Sequence, residues 1–179
     1  VSNRLSKGIE FLMKKNKITH IYGMGKLTSK TTIETNSSKK KEKVIAKKII
    51  IATGARPRSF PGMEIDGKRV ISSKEAMMLN SPPKKMIIIG SGAIGTESAY
   101  YYNEFGTEVH LVEMMDRILP VEDLDVSIEV EKSFKKSGIK MSPGTKVSQI
   151  ESLKTKVKVH TEKDDKKEIL EGDMALLAV

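Results

Sequence analysis

Cysteine and tryptophan are both missing from the 179 residues. Without cysteine there is no disulfide, no thiolate nucleophile and no cysteine-ligated metal. Aromatic residues make up only 4%, which leaves no visible platform for stacked nucleobases. No apolar run approaches the roughly 18 residues that a membrane span needs, so no membrane partner is expected. The first residues, Val-Ser-Asn-Arg-Leu-Ser-Lys, lack the apolar core of a secretory leader, and no initiator methionine is present. The chain therefore reads as an excised piece.

What is abundant is positive charge, with 32 Lys and Arg against 23 Asp and Glu, a formal net charge of +9. The densest cluster, Lys39-Lys40-Lys41-Glu42-Lys43 beside Ser37 and Ser38, lies between two predicted strands and reads as a solvated loop. No nucleic-acid partner is expected. With 38% hydrophobic and 31% charged residues, the composition is that of a globular chain of one or two domains.

Along the chain, Leu5, Ile9, Leu12 and Met13 fall on one face of a predicted helix over 2–16, with Ser2 as a candidate N-cap and Lys14, Lys15 and Lys17 at its end. Residues 18–26, 31–35 and 44–47 are short, β-branched and turn-separated, which predicts an antiparallel meander. The apolar run 48–54 reads as a strand covered on both faces. The proline-punctuated stretch Ala55-Arg56-Pro57-Arg58 with Phe60-Pro61-Gly62 is a candidate boundary, and the domains are expected at 1–65 and 66–179. Ser72 or Ser73 is expected to cap a short helix running to Leu79.

Residues 85–97, Lys-Met-Ile-Ile-Ile-Gly-Ser-Gly-Ala-Ile-Gly-Thr-Glu, run from an apolar strand through a glycine-rich turn into a helix. Gly90 allows a sharp turn, Gly92 lets the backbone approach a pyrophosphate, and Gly95 allows the helix to pack closely on the strand. The first helical N–H groups then face an anion with the helix dipole behind them. A second predicted strand, 108–112, ends in the acid Glu113 at the roughly 20-residue spacing of a ribose-binding carboxylate. The plainer reading is a structural strand-turn-helix without a ligand.

On the glycine-turn helix, Ile94, Ser98, Tyr101, Tyr102 and Phe105 share a face and are expected to pack on the sheet, with Gly106 as the stop. A helix over 124–137 follows, with Asp123 as a candidate cap, Val126, Val130 and Phe134 inward and Gly138 at its end. Strands are predicted at 145–150, 156–161, 167–170 and 174–179. A buried last strand is taken as a sign that the chain was cut there. His20, His110 and His160 each fall in a predicted strand without a partner at ligand spacing, so no metal site is expected. The fold class is α/β: a parallel sheet of dinucleotide-binding type with an antiparallel meander, preceded by a helix and further strands.

Ile-Ala-Thr-Gly-Ala-Arg-Pro (51–57), Phe-Pro-Gly (60–62), Gly-Ser-Gly-Ala-Ile-Gly-Thr-Glu (90–97), Val-Glu (112–113), Ile-Leu-Pro-Val-Glu-Asp (118–123) and Gly-Thr-Lys-Val (144–147) stand in an order that resembles the pyridine nucleotide–disulfide oxidoreductases over essentially the whole chain. Within that family the chain is most similar to the flavoproteins that oxidise dihydrolipoamide with NAD⁺. The resemblance implies a Rossmann-like NAD domain over about 66–179 and the tail of an incomplete FAD domain over 1–65. It implies NAD and FAD as cofactors, a lipoyl-bearing 2-oxoacid dehydrogenase complex and a homodimer as the full protein's partners, and a cytoplasmic or mitochondrial-matrix location. A redox cysteine pair and a His-Glu pair lie outside this chain, so these residues alone are expected to be inactive, with no catalytic residue among them.

Carried over by resemblance, Gly90, Ser91, Gly92, Ala93, Ile94, Gly95 and Thr96 hold the NAD pyrophosphate, Glu113 the adenosine ribose, and Val147 touches adenine. Glu97 stands near nicotinamide and flavin, while Gly25, Thr53, Gly54 and Ala55 lie against FAD. Read alone, Gly25 is a strand bulge or turn, Val147 a strand residue, and Glu97 an exposed acid in the first helical turn. Glu113 also argues for NAD over NADP. A carboxylate accepts from ribose hydroxyls but repels a 2′-phosphate by about 4 kcal/mol at ~4 Å and an effective dielectric near 20. Competing readings are a non-catalytic nucleotide-binding module and a reductase of another substrate in the same family.

Overall fold

The computed structural model describes residues 2–36 and 41–179. Most of the lysine-rich loop, 37–40, lies outside the described residues. The chain divides into two compact units, Val1–Gly54 and Ala55–Val179, and each is taken by itself.

The first unit holds α1 (Ser2–Lys15) and an antiparallel sheet of β1 (Met24–Leu27), β2 (Thr32–Asn36) and β3 (Lys41–Ile45). The helix ends on Lys14 and Lys15, which suit the negative end of its dipole. Tyr22 Oη donates to Glu10 at 3.1 Å, joining the approach to β1 with the helix. The strand expected from residue 18 begins only at Met24; Lys17 takes a positive φ of 56° to leave the helix, and His20 is in no strand. The run 48–54 forms no strand either. No described strand lies beside this run to pair with its backbone, and Ile50 and Ile51 are 92% and 72% exposed.

The second unit is built on a five-stranded parallel sheet of order β4-β11-β5-β6-β7. Its strands are β4 (Val70–Ile71), β5 (Lys85–Ile89), β6 (Glu108–Val112), β7 (Lys140–Ser142) and β11 (Met174–Leu177). Alternate side chains of a strand point to opposite faces, and β5 shows the result. Met86 and Ile88 pack with Ala99, Tyr102, Leu111 and Phe134 on the helical side. Ile87 and Ile89 pack with Ile150, Val157 and Val159 on the other. That second layer is the antiparallel sheet of β8 (Lys146–Ser152), β9 (Val157–Lys163) and β10 (Lys166–Gly172). The β9-β10 hairpin turns on Asp164 and Asp165 with φ of 50° and 62°, the left-handed pair of a type I′ loop.

The helical layer consists of α2 (Ser73–Ala76), α3 (Ala93–Glu104) and α4 (Leu124–Lys136). Helix α2 is shorter than expected and stops well before Leu79; Ser72 is its N-cap in a capping box with Glu75. Helix α3 buries Gly95, Thr96, Ala99 and Tyr102. Of the expected inward face only Tyr102 is buried, while Ile94, Tyr101 and Phe105 are 51%, 53% and 61% exposed. Small residues let the helix axis approach the sheet, and this rotates the larger side chains outward. In α4 the buried residues are Ser127 and Phe134, Val130 is half-buried, and Val126, expected inward, is 45% exposed. Gly106 and Gly138, with φ of 84° and 81°, end the two helices.

Candidate functional site

The C-terminal ends of β5, β6 and β7 lie along one edge of the parallel sheet, the edge at which open α/β sheets bind ligands. Gly90 follows β5 with φ of 96°, and its N–H donates to Val112 O of β6 at 2.9 Å. A Cβ at Gly90 would lie 2.6 Å from Ala178 O, and one at Gly95 would lie 1.9 Å from Gly90 O. These two glycines are therefore required by the protein itself. At Gly92 a Cβ would meet nothing within 4 Å. Gly92 is the N-cap of α3 and offers no side-chain cap, so the positive end of the helix is left without a capping side chain of its own. The N–H groups of a helix N-terminus are the donor set a pyrophosphate fits.

Glu113 closes the other side. It is 8% exposed at the end of β6. Its Oε2 accepts from the Ser91 N–H and from Ser91 Oγ, each at 2.7 Å, and its Oε1 accepts from Met115 N–H at 2.8 Å. Its backbone N–H donates to Ser142 O at 3.0 Å, and its carbonyl accepts from Thr145 N–H at 2.8 Å. These bonds join the end of β6 to the start of β8, where Val147 is half-buried beside a register shift between Val147 and Gln149. Bulges of this kind re-aim side chains next to binding sites. The cation nearest in sequence, Arg117, donates to Pro120 O at 3.0 Å and Glu122 O at 2.9 Å, so its guanidinium is already employed.

The structure thus brings Gly90 to Gly95, Glu113 and the start of β8 together. Thr96 is buried and its Oγ1 donates to Gly92 O at 3.0 Å, bracing the turn. Ala93 and Ile94 are exposed on the first turn. Glu97 is exposed and lies past the first turn, where no acid is present; the expectation of a first-turn acid is corrected. It flanks a depression shared with Ile94, Tyr101, Ala76 and Met77. The residues assigned to a flavin are not enclosed in the same way. Gly25 pairs with Thr35 inside β1, whereas Thr53, Gly54 and Ala55 are exposed outside any strand.

Leu119 and Ser127, outside the glycine motif, brace it through Ser91. Ser91 is fully buried, and its carbonyl accepts from Leu119 N–H at 3.0 Å. Leu119 has φ of 49°, unusual for a leucine, and its own carbonyl accepts from Ser127 Oγ at 3.1 Å. Only the neighbouring Ile-Leu-Pro and Ser127 could have hinted at this brace.

A family model described as pyridine nucleotide-disulphide oxidoreductase matches residues 1–179. The chain belongs to that family. Among its curated relatives are the dihydrolipoyl dehydrogenases of Bacillus subtilis, 36% identical over 100% of this chain and 40% of the relative, and of Rhizobium etli, 41% identical over 93% and 38%. Among solved members of the fold, LpdA from Mycobacterium tuberculosis superposes with a TM-score of 0.87 at 27% identity, covering 99% of this chain and 39% of that one. The chain therefore spans about 40% of the length of these relatives. Among the described residues no helix is long and apolar enough to cross a membrane.

Proposed function

We propose that the chain is the NAD-binding portion, with an adjoining part of the FAD domain, of a dihydrolipoyl dehydrogenase. The reaction of the whole protein is then the oxidation of dihydrolipoamide by NAD⁺ to lipoamide and NADH. The domains are assigned as 1–65 and 66–179, although the compact units divide at Gly54. The observation that carries this reading is the buried Glu113 carboxylate beside an uncapped glycine turn. It supplies a ribose acceptor next to a pyrophosphate cradle, and the name shared by the relatives supplies the substrate.

In this reading Gly92 and the first turn of α3 hold the pyrophosphate, Glu113 the adenosine ribose and Val147 the adenine edge. Glu97 stands toward the nicotinamide, and Gly25, Thr53, Gly54 and Ala55 border FAD. Hydride chemistry is supplied by the bound nicotinamide and flavin; the chain's own task is to orient and select the dinucleotide. The whole protein is assigned a homodimeric state and a lipoyl-bearing 2-oxoacid dehydrogenase complex as partner, in the bacterial cytoplasm or the mitochondrial matrix. A second reading, a flavoprotein disulfide reductase of other substrates, has support in a likeness to RclA of Escherichia coli, with a TM-score of 0.76 and 25% identity.

Titration of the 179-residue chain with NADH and NADPH tests the cofactor assignment. NADH is expected to bind about three decades more tightly, the equivalent of a charge repulsion of roughly 4 kcal/mol. Glu113→Ala is expected to weaken NADH at least tenfold, since a hydrogen bond to a charged group contributes about 1.5–3 kcal/mol. Equal affinity for the two cofactors in the unmodified chain removes the assignment.

A further inference from the structure

We propose that Ser91 is a positioning residue that sets the preference for NAD over NADP by clamping Glu113, an inference that rests on the ribose role given to Glu113 above. An ionised carboxylate has about four acceptor positions, two on each oxygen. Both positions of Oε2 are filled from one residue, by the Ser91 N–H and Oγ at 2.7 Å each, and one position of Oε1 is filled by Met115 N–H at 2.8 Å. A single acceptor position, on Oε1, is left for a ribose hydroxyl.

The clamp is itself fastened. Ser91 is 0% exposed, so its hydroxyl is spent inside the protein and does not reach out to a ligand. Its carbonyl is held by Leu119 N–H at 3.0 Å. Leu119 in turn is held in its left-handed conformation by Ser127 Oγ and by Glu122 N–H, both at 3.1 Å from its carbonyl. Ser127 is 2% exposed, so this end of the brace is also shielded from water.

Selectivity follows from the lost freedom. A loose surface carboxylate meets a 2′-phosphate by rotating away, and most of the repulsion disappears into solvent. Glu113 has to give up three hydrogen bonds to do so, and its neighbouring cation Arg117 is occupied by the carbonyls of Pro120 and Glu122. The Ser91 hydroxyl accounts for one of those three bonds and is the only one carried by a side chain.

The test compares NADH and NADPH dissociation constants for the 179-residue chain and its Ser91→Ala, Ser91→Cys and Glu113→Ala variants. Ser91→Ala keeps both backbone donors and is expected to lower the NADH-over-NADPH preference about tenfold, the scale of one charge-assisted hydrogen bond. Ser91→Cys keeps the shape but is a weak donor, so it is expected to follow Ser91→Ala; it carries the comparison if the alanine variant does not fold. An unchanged preference in the Ser91 variants, with Glu113→Ala abolishing it, overturns the clamp and leaves the proposed function standing. A cysteine variant that matches the unmodified chain while the alanine variant does not assigns Ser91 to packing and also overturns the clamp. NADH binding that survives Glu113→Ala unchanged overturns both.

Discussion

Gly92 and Gly95 stand in one turn, yet a methyl group added at each meets opposite surroundings. At Gly95 it would sit 1.9 Å from Gly90 O, and at Gly92 it would touch nothing within 4 Å. Backbone cannot yield as a flexible side chain does, so Gly95→Ala is expected to push α3 off the sheet and lower stability by about 1–3 kcal/mol. Gly92→Ala is expected to leave thermal unfolding nearly unchanged and to weaken NADH, because the space its methyl enters is the space assigned to the pyrophosphate. Paired melting curves and NADH titrations of the two variants check the contrast. An equal loss of stability in both would mean that Gly92 is also a packing glycine.

At the scale of elements, the junction of β6 with β7 carries a pH dependence. His110 of β6 pairs through Nε2 with Ser142 Oγ of β7 at 2.8 Å. Burial holds its pKa below the usual 6.5, Lys140 and Lys85 lower it further, and Glu168 of β10 and Glu108 oppose them. A histidine with a lowered folded pKa binds fewer protons in the folded than in the unfolded state. Stability therefore falls as pH drops through and below about 6.5. Glu75 and Glu108, whose carboxyl groups are held below 4.5 by hydrogen bonds from Ser72 and Lys140 respectively, act in a lower window, where their contribution is lost as they protonate. Denaturant unfolding between pH 7.5 and 5.5 is expected to show declining stability, and His110→Gln is expected to flatten that decline. A slope that persists in the variant assigns it to other groups.

What could be read from the sequence divides along the same scale. The strand, turn and helix of residues 85–104 and the acid after β6 were legible because each carries its own period and its own punctuation. Strands β4 and β7, two and three residues long, are too short for alternation to register, and they exist only because β11 and β6 offer edges to pair with. The run 48–54 failed for the converse reason: its composition is that of a buried strand, and burial depends on neighbours that an apolar run cannot name. On α3 the reading by size chose Ile94, Tyr101 and Phe105, whereas close approach to the sheet selects Gly95 and Ala99. The Ser91–Glu113 clamp joins the turns after β5 and β6; the spacing of the acid brings it to the glycine turn, but nothing in the sequence encodes the bond to the Ser91 hydroxyl.

For the molecule as a whole, burial is uneven. All residues of both apolar clusters lie in the second unit, and none of the described residues of the first is buried. Local opening follows the density of such contacts. In hydrogen exchange of the isolated chain, amides of β1, β2 and β3 are expected to exchange far faster than those of β5, β6 and β11. Comparable protection in the two sets would contradict the contrast.

The placing of β11 has a consequence for how the site comes into being. Residues 174–177 lie between β4 and β5, and Ala178, whose N–H donates to Ile89 O at 2.8 Å, backs onto Gly90. During synthesis the glycine turn emerges long before the strand that supports it, and it waits without a wall while the antiparallel layer is made. Pairing over such a sequence separation is entropically slow. The wall behind the proposed dinucleotide site is thus a long-range element, complete only once β11 has paired with β5, although the turn itself is a local one.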